Sequence, residues 1–323
     1  MPGNNLFDLR QLEAFSAVIS AGSVTGAAKL IGKSQPVVTR LIQELETELG
    51  FDLFARHGRR VTPTQVGVDF YREVERLLAS AERTRQRAAD LASRQTEAIE
   101  IATTSSLASA VVPGALRLLR DRGQLPRNVL VRTQTPEEVI QTVAARGADI
   151  GIASLPIDHP AVDVKWIAEA HCVCVLPEDD PLAAEEVVEV AALSRRDLIT
   201  PLNPYRILSR ITAALERSDA HPARVIRSNA SLTAIQLARH GLGIAVIEPL
   251  SADALPLPGV VVRPLDVPIP FLWGIISPLG LPELPVAPHL IEALVAAGTR
   301  DLPGFRVRDV REIEAILKNP DGL

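Results

Sequence analysis

This chain of 323 residues has, near its N-terminus, a predicted helix face whose polar side chains could form hydrogen bonds with nucleic acid. Residues 23–64 predict a short helix that begins at Ser23, a break at Gly32 and a second helix that begins near Ser34. The polar face of the second helix is formed by Ser34, Gln35, Pro36, Thr39, Arg40 and Gln43. Amide, hydroxyl and guanidinium groups on one helix face are those that recognise base edges in the DNA major groove.

The opposite face of this second helix is apolar, and a basic hairpin follows it. Val38, Ile42, Leu45 and Leu49 recur at helical spacing and predict a buried stripe. Residues 51–62 predict two short strands around a turn at residues 57–58. The polar groups near its tip are Arg56, Arg59, Arg60 and Thr62. Contact with the DNA backbone or the minor groove is expected there. A small helical domain without DNA is the alternative, but it does not require the Ser-Gln-Pro run or the basic tip.

This region resembles the winged helix-turn-helix of the LysR-type transcriptional regulators. The matching residues are Ala27, Ala28, Leu30, Ser34, Gln35, Pro36, Leu45, Glu46, Leu49, Gly50, Leu53, Phe54, Arg56, Val61, Thr62, Pro63 and Thr64. Val37, Thr39 and Leu41 depart from the residues that are frequent in the family, which leaves the individual base contacts open.

The resemblance implies an N-terminal all-α winged helix-turn-helix with a long linker helix, followed by an α/β two-lobe effector domain like the type 2 periplasmic binding proteins. It also implies a regulator whose promoter binding or activation is modulated by a small-molecule effector. The expected partners are double-stranded DNA, the effector and further copies of the chain, as a dimer and then a tetramer. RNA polymerase is a further candidate partner, and no cofactor is expected.

Charge distribution bears on the DNA hypothesis because the net charge of the chain is −5. Residues 1–94 hold thirteen basic and eleven acidic side chains, a surplus of two positive charges that leaves −7 for the rest. Attraction to DNA must therefore come from a local basic patch. We expect a cytoplasmic protein without membrane contact, because the sequence has neither an apolar run of about 18 residues nor a signal sequence.

A long helix over residues 64–93 is predicted to join two subunits. Its apolar residues recur at spacings of three and four, and those assigned to a dimer seam are Phe70, Val74, Leu77, Ala81, Ala88 and Leu91. Such a narrow stripe needs a partner, and the resemblance assigns this helix to dimerisation. Packing of the helix on its own domain is the alternative.

The chain after residue 95 alternates short apolar runs with helical segments, which predicts an α/β fold with buried parallel strands. The predicted domains are residues 1–64 for DNA binding, 65–94 for the linker, 95–302 for the effector and 303–323 as a tail. Lobe one is expected at about 97–165 and 270–300, and lobe two at about 168–265. A helix is predicted over 107–120, a strand over 171–176 and a further helix over 309–317.

A ligand cleft is expected between the lobes, where strands end and helices begin. The candidate effector contacts are Thr104, Ser105, Ser106, Thr133, Thr135, Asn203, Arg206, Asn229 and Ser231. Hydroxyl and amide donors there suit a carboxylate, and Arg206 could pair with one. The expected effector is an organic acid or an amino-acid-like metabolite. The run of residues 203–206 also bears a faint resemblance to opine-responsive regulators.

Two other classes of protein fit the sequence less well. An enzyme would require a nucleophile with its base, paired carboxylates, a phosphate loop or a metal set, and the sequence offers no catalytic or metal-ligating residues in such patterns. A secreted solute-binding protein would not need the first 64 residues. Cys172 and Cys174 could form a redox or metal pair with His171, but a buried strand with reduced thiols is the favoured interpretation.

Overall fold

The computed structural model describes residues 8–57, 60–93, 98–202, 207–254, 257–280, 284–302, 304–309 and 312. The chain divides into two compact units, Met1–Arg94 and Gln95–Leu323. None of the described helices is long and apolar enough to cross a membrane.

The first unit is a helical bundle with one hairpin. Its elements are α1 (Leu9–Ala21), α2 (Val24–Leu30), α3 (Gln35–Leu49), β1 (Phe54–His57), β2 (Arg60–Pro63) and α4 (Gln65–Ser93). Phe15 of α1 lies at the centre of the core, with its ring 5.5 Å from that of Phe54 and 5.8 Å from that of Phe70. The fold of this unit therefore depends on α4 as well as on the three helices before it.

The second unit consists of two lobes, each built on one sheet. Its strands are β3 (Ala98–Thr103), β4 (Asn128–Thr133), β5 (Ile150–Ser154), β6 (Val162–His171), β7 (Val173–Pro177), β8 (Asp197–Pro201), β9 (Arg224–Ser228), β10 (Ile244–Ile247), β11 (Val260–Pro264), β12 (Pro270–Pro278) and β13 (Arg306–Val307). Its helices are α5 (Ser105–Ala110), α6 (Val112–Asp121), α7 (Pro136–Ala144), α8 (Ile207–Arg217), α9 (Ser231–Arg239), α10 (Pro249–Asp253) and α11 (Ala287–Asp301).

Sheet order defines the lobes. Lobe one has the order β13-β6-β12-β5-β3-β4, and lobe two has the order β11-β7-β10-β8-β9. In lobe one, α7 covers one face of the sheet, and α5, α6 and α11 cover the other. In lobe two, α9 and α8 cover opposite faces. β3, β4 and β5 are parallel to one another, as are β8, β9 and β10.

The chain crosses between the lobes twice, at adjacent places. It leaves lobe one after β6, enters lobe two at β7, and returns through residues 265–269 into β12. Cys172 lies at the first crossing and donates its backbone N–H to the carbonyl of Ile269 at the second, at 2.9 Å. The predicted strand over 171–176 is therefore two strands in two sheets, and lobe one extends to His171 rather than to about residue 165.

Two further expectations need correction. The helix predicted over 107–120 is divided at Val111 into α5 and α6, because Pro113 has no N–H with which to continue the helical ladder. Leu30, an apolar residue that the sequence pattern of α2 would place towards the core, is 65% exposed. The predicted helix over 309–317 lies largely outside the described residues.

A short C-terminal strand closes the edge of lobe one. β13 pairs with β6, with Val307 opposite Ala168. Phe305 packs against both tryptophans of the lobe, with ring centroids 6.0 Å from Trp166 and 5.9 Å from Trp273. Arg308 forms an ion pair with Glu169 on β6. This segment therefore belongs to the folded lobe and is not a free tail.

Candidate DNA-recognition surface and ligand cleft

The polar face of α3 is exposed and held by a buried opposite face. Val38, Leu41, Ile42 and Leu45 are buried in the core of the first unit. The face itself comprises the exposed Ser34, Gln35, Pro36, Arg40 and Gln43 together with the half-buried Thr39. The Arg40 side chain is 70% exposed and lies 3.6 Å from Glu44. Such a weak surface ion pair leaves the guanidinium available to another partner.

Local sequence explains why α3 takes this position. Ser23 caps α2 by accepting the N–H of Gly26 at 3.0 Å. Gly32 has φ +65°, a left-handed conformation that glycine adopts without strain, and it turns the chain between the helices. The backbone N–H of Lys33 then donates a hydrogen bond to the carbonyl of Ala28 at 2.9 Å. The two helices therefore meet at a defined angle, as a helix-turn-helix requires.

A carboxylate joins α3 to the hairpin. Glu46 Oε1 accepts the backbone N–H groups of Leu53 at 2.8 Å and Phe54 at 3.1 Å. β1 and β2 pair antiparallel, with Arg56 opposite Val61. Thr62 is exposed on β2. Arg56 and Arg60 lie on the two strands, whereas Arg59 lies outside the described residues.

Burial limits the part of α4 that could form a dimer seam. Val74 is 2% exposed, and Phe70 is half-buried against the core of its own unit. Val74 therefore cannot supply a dimer surface, and the alternative of self-packing applies to the first turns. Further along, Leu77 is 45% exposed and Ala88 is exposed, while Ala81 is half-buried. The side chain of Leu91 lies outside the described residues.

Polar residues of lobe one collect where β3 and β4 end. Thr104 and Ser106 are half-buried, their hydroxyl oxygens are 3.5 Å apart, and Ser105 beside them is exposed. Thr133 is exposed at the end of β4. The Thr135 hydroxyl accepts the N–H of Glu138 in a capping box, so it already serves the start of α7.

The corresponding edge of lobe two contains candidates at the starts of its helices. Asn229 is exposed before α9, and Ser231 is half-buried in its first turn. The hydroxyl of Thr200 is buried at the end of β8 without a hydrogen-bond partner among the described residues. Asn203 and Arg206 lie outside the described residues.

A buried carboxylate on this edge was missed by the sequence analysis. Glu248 follows β10 and accepts hydrogen bonds from the Ser251 hydroxyl at 2.6 Å and the Ser251 N–H at 3.0 Å. The Ser231 hydroxyl and Leu250 N–H also donate to it, yet burial raises the pKa of Glu248. A Glu-Pro pair directly after an apolar strand was the signal that could have revealed it.

Glu248 stands at the point where the lobes approach each other. Its charge raises the pKa of the Cys172 thiol at the crossing, after the larger effect of burial. α10, which Glu248 caps, packs beside α5 of lobe one. The carboxylate therefore bridges the starts of α9 and α10, close to the crossing.

The two cysteines are buried and unbridged. Burial raises the pKa of Cys174 to about 12, so its thiol stays protonated at neutral pH. Among the described residues, no three His, Cys, Asp or Glu side chains are grouped as a metal site requires. Cys174 thus packs as a buried side chain on β7, and Cys172 as a buried side chain at the crossing.

The first unit contains a helix-turn-helix followed by a hairpin. The second unit consists of two lobes, with polar side chains where the two lobes face each other. These features define a DNA-binding protein with a separate domain of the binding-protein type. Residues 9–68 match the family model "Bacterial regulatory helix-turn-helix protein, lysR family", and residues 92–299 match "LysR substrate binding domain". The chain belongs to the LysR family of transcriptional regulators. It is a DNA-binding regulator and not an enzyme.

Named relatives and solved structures agree with this assignment. The chain is 31% identical over 290 residues to the regulatory protein NocR of Agrobacterium fabrum, covering 89% of this chain and 94% of NocR. It is 30% identical over 254 residues to OccR of Rhizobium meliloti, an octopine catabolism/uptake operon regulatory protein, covering 76% and 81%. The crystal structure of CbnR, a LysR family transcriptional regulator, has a TM-score of 0.75 at 20% identity over 90% of this chain and 99% of CbnR.

We expect Glu248→Gln to remove a pH-dependent loss of stability. An acid whose pKa is raised on folding keeps its proton longer in the folded state, so stability falls as pH rises from the unfolded to the folded pKa. The glutamine amide has no such titration, and the hydroxyls of Ser231 and Ser251 can rotate to accept its N–H. The stability of the variant relative to the parent should increase between pH 5 and pH 8, measured by urea denaturation. Glu186→Gln, at an exposed residue, is the control; a difference independent of pH would contradict the prediction.

Proposed function

We propose that a small anionic metabolite binds between the two lobes and controls how this regulator acts at its promoter. The main support for this proposal is that polar side chains lie at the carboxyl ends of the parallel strands in both lobes. Thr104, Ser105 and Ser106 follow β3, and Ser231 follows β9. In open α/β sheets this edge is the one that binds ligands.

The Thr200 hydroxyl, which has no hydrogen-bond partner in the part of the chain that the structure describes, supports the same edge. A buried polar group without a partner costs about 1–3 kcal/mol, which a ligand that supplies the missing hydrogen bond would recover. α5 and α10 contact each other across the gap, so a ligand held at this edge would touch both lobes. Ligand binding would then favour one arrangement of the lobes over another.

The effector class is an organic acid or an amino-acid-like metabolite. Exposed and half-buried hydroxyls suit a carboxylate. OccR is named for octopine catabolism and uptake, and this chain is 30% identical to it. An opine-type amino-acid derivative is therefore the first compound to test. A thermal-shift screen of opines, organic acids and amino acids would identify the effector because a bound ligand stabilises the folded state.

DNA recognition is assigned to the exposed face of α3, with the hairpin contacting the backbone or the minor groove. Gln35 and Arg40 can each form a bidentate contact with a base, whereas Thr39 offers one hydroxyl. Dimerisation is assigned to the exposed part of α4 around Leu77, with a tetramer as the complete assembly. A gel shift on DNA upstream of its own gene tests the function as a whole.

Replacement of Gln35 or Arg40 by alanine should weaken specific operator binding by about 1–3 kcal/mol, because a bidentate base contact is lost. The measurement is a gel-shift titration at matched salt concentration. Arg117→Ala is the matched control for Arg40, since Arg117 forms a similar exposed ion pair with Asp121 at 3.8 Å. Unchanged operator affinity in either variant would remove that residue from the recognition set.

Leu77→Asp should abolish dimerisation and cooperative DNA binding together. A charge placed in an apolar seam loses its hydration without gaining a partner. Leu279→Asp introduces the same change at another exposed leucine and should leave the assembly intact. Analytical ultracentrifugation reports the outcome, and an unaltered oligomer in Leu77→Asp would exclude this helix surface from the interface.

Ser105→Ala should raise the effector concentration needed for half-maximal response by about tenfold, the equivalent of 1.4 kcal/mol. Effector-free DNA affinity should stay unchanged, because Ser105 belongs to the other unit of the chain. Ser109→Ala is the control on the same helix, where the hydroxyl donates to the carbonyl of Ser105 at 2.9 Å. A promoter-reporter titration with a compound from the screen, beside a gel shift, separates ligand contact from structural damage. A normal dose response would exclude Ser105 from the site.

A further inference from the structure

Lobe two contains a cavity at the edge of its sheet opposite the proposed ligand cleft. It has a volume of about 290 Å³ and is lined in part by Pro177, Asp197 and Ile244. Asp197 begins β8 and Ile244 begins β10, whereas Thr200 lies near the end of β8 and Glu248 follows β10 on the cleft side. Five residues of β8 separate the two edges by roughly 13 Å at about 3.3 Å per residue. The cavity is therefore distinct from the proposed effector site.

The floor of this cavity is preorganised by a partly buried ion pair. Asp180 pairs with Arg196, and the Asp180 side chain is 9% exposed. The other oxygen of Asp180 accepts the N–H of Leu182 at 3.0 Å. A carboxylate held at both oxygens does not turn away from its guanidinium, so the polar floor keeps its geometry without a ligand.

Two side chains of opposite charge, Arg195 and Asp197, lie at the rim of the cavity. Arg195 lines the cavity with an exposed side chain that forms no salt bridge with any residue the structure describes. Arg224 forms an exposed salt bridge with Asp197 at 3.4 Å, and such a pair holds the carboxylate weakly. The backbone of Arg195 is in a left-handed conformation, with φ +62°, and its N–H bonds to the carbonyl of His221 at 2.8 Å. Arg195 is thereby held at the rim, while its guanidinium has no described ionic partner.

We propose that this cavity is a second small-molecule site, which binds a zwitterion the size of an amino acid. The four charged side chains that line it sum to zero, so a ligand with a net charge would meet as much repulsion as attraction. A carboxylate can instead pair with Arg195 while an ammonium group pairs with Asp197. The volume is near the lower limit of ligand pockets, about 300 Å³, and fits a molecule of about ten non-hydrogen atoms.

Ligand-observed NMR titration of the full-length protein tests the site with three related probes: L-alanine, propionate and ethylammonium. Propionate lacks the ammonium group, and ethylammonium lacks the carboxylate. L-Alanine should bind at millimolar concentration, and each singly charged probe should bind about tenfold more weakly, the equivalent of about 1.4 kcal/mol. Propionate binding as tightly as L-alanine would overturn the zwitterion assignment.

Substitutions of the cavity residues test where L-alanine binds. Arg195→Ala and Asp197→Asn should each weaken L-alanine binding about tenfold, and Arg195→Lys should retain part of it because the charge remains. Arg146→Ala is the matched control: Arg146 is also an exposed arginine with positive φ, at +59°, but it lies in lobe one. Full L-alanine binding in both Arg195→Ala and Asp197→Asn would place the ligand outside this cavity and overturn the proposal. Absence of L-alanine binding at tens of millimolar would show that the cavity holds only water.

Discussion

The pairing of β6 with β12 is the constraint on which the second unit depends. The two strands run antiparallel from Val162 opposite Pro278 to His171 opposite Pro270, and the Cys172–Ile269 hydrogen bond continues the pairing into the crossing. Both connections between the lobes therefore pass through one place. Because the crossings lie side by side, the carboxyl ends of the parallel strands in each lobe face the same gap. The location of the polar edge follows from this pairing rather than from any individual polar residue.

Burial of Glu248 beside this crossing carries an energetic cost that its surroundings offset. A carboxylate removed from water is destabilised unless hydrogen bonds replace its hydration. Hydroxyl and backbone donors from the starts of α9 and α10 supply those bonds, yet the pKa of Glu248 stays raised, so the replacement is incomplete. A movement of α10 relative to α9 would break these bonds and expose the carboxyl group. Glu248 thus couples the elements that meet at the gap.

Prediction from sequence succeeded where the determining interactions are local. Ser23 and Gly32 specify the helix-turn-helix through a cap and a turn. Long-range contacts were not visible. Nothing local assigns β13 to the edge strand β6, and an apolar stripe on α4 cannot by itself distinguish packing on its own unit from packing on another chain. Glu248 was missed because burial of a carboxylate is decided by the tertiary fold.

The self-packing of α4 bears directly on the proposed DNA recognition. Gly67 lies so close to the hairpin that a Cβ atom there would be 2.3 Å from the carbonyl oxygen of Leu53, and Thr64 Oγ1 accepts the Gly67 N–H at 3.0 Å. Glu46 holds the same segment to α3. The recognition helix, the hairpin and the first turns of α4 therefore move as one body, while the exposed later turns of the same helix offer the proposed dimer surface. In such a dimer, the rigid helix would set the separation of the two recognition helices, and with it the spacing of the half-sites that the operator must present.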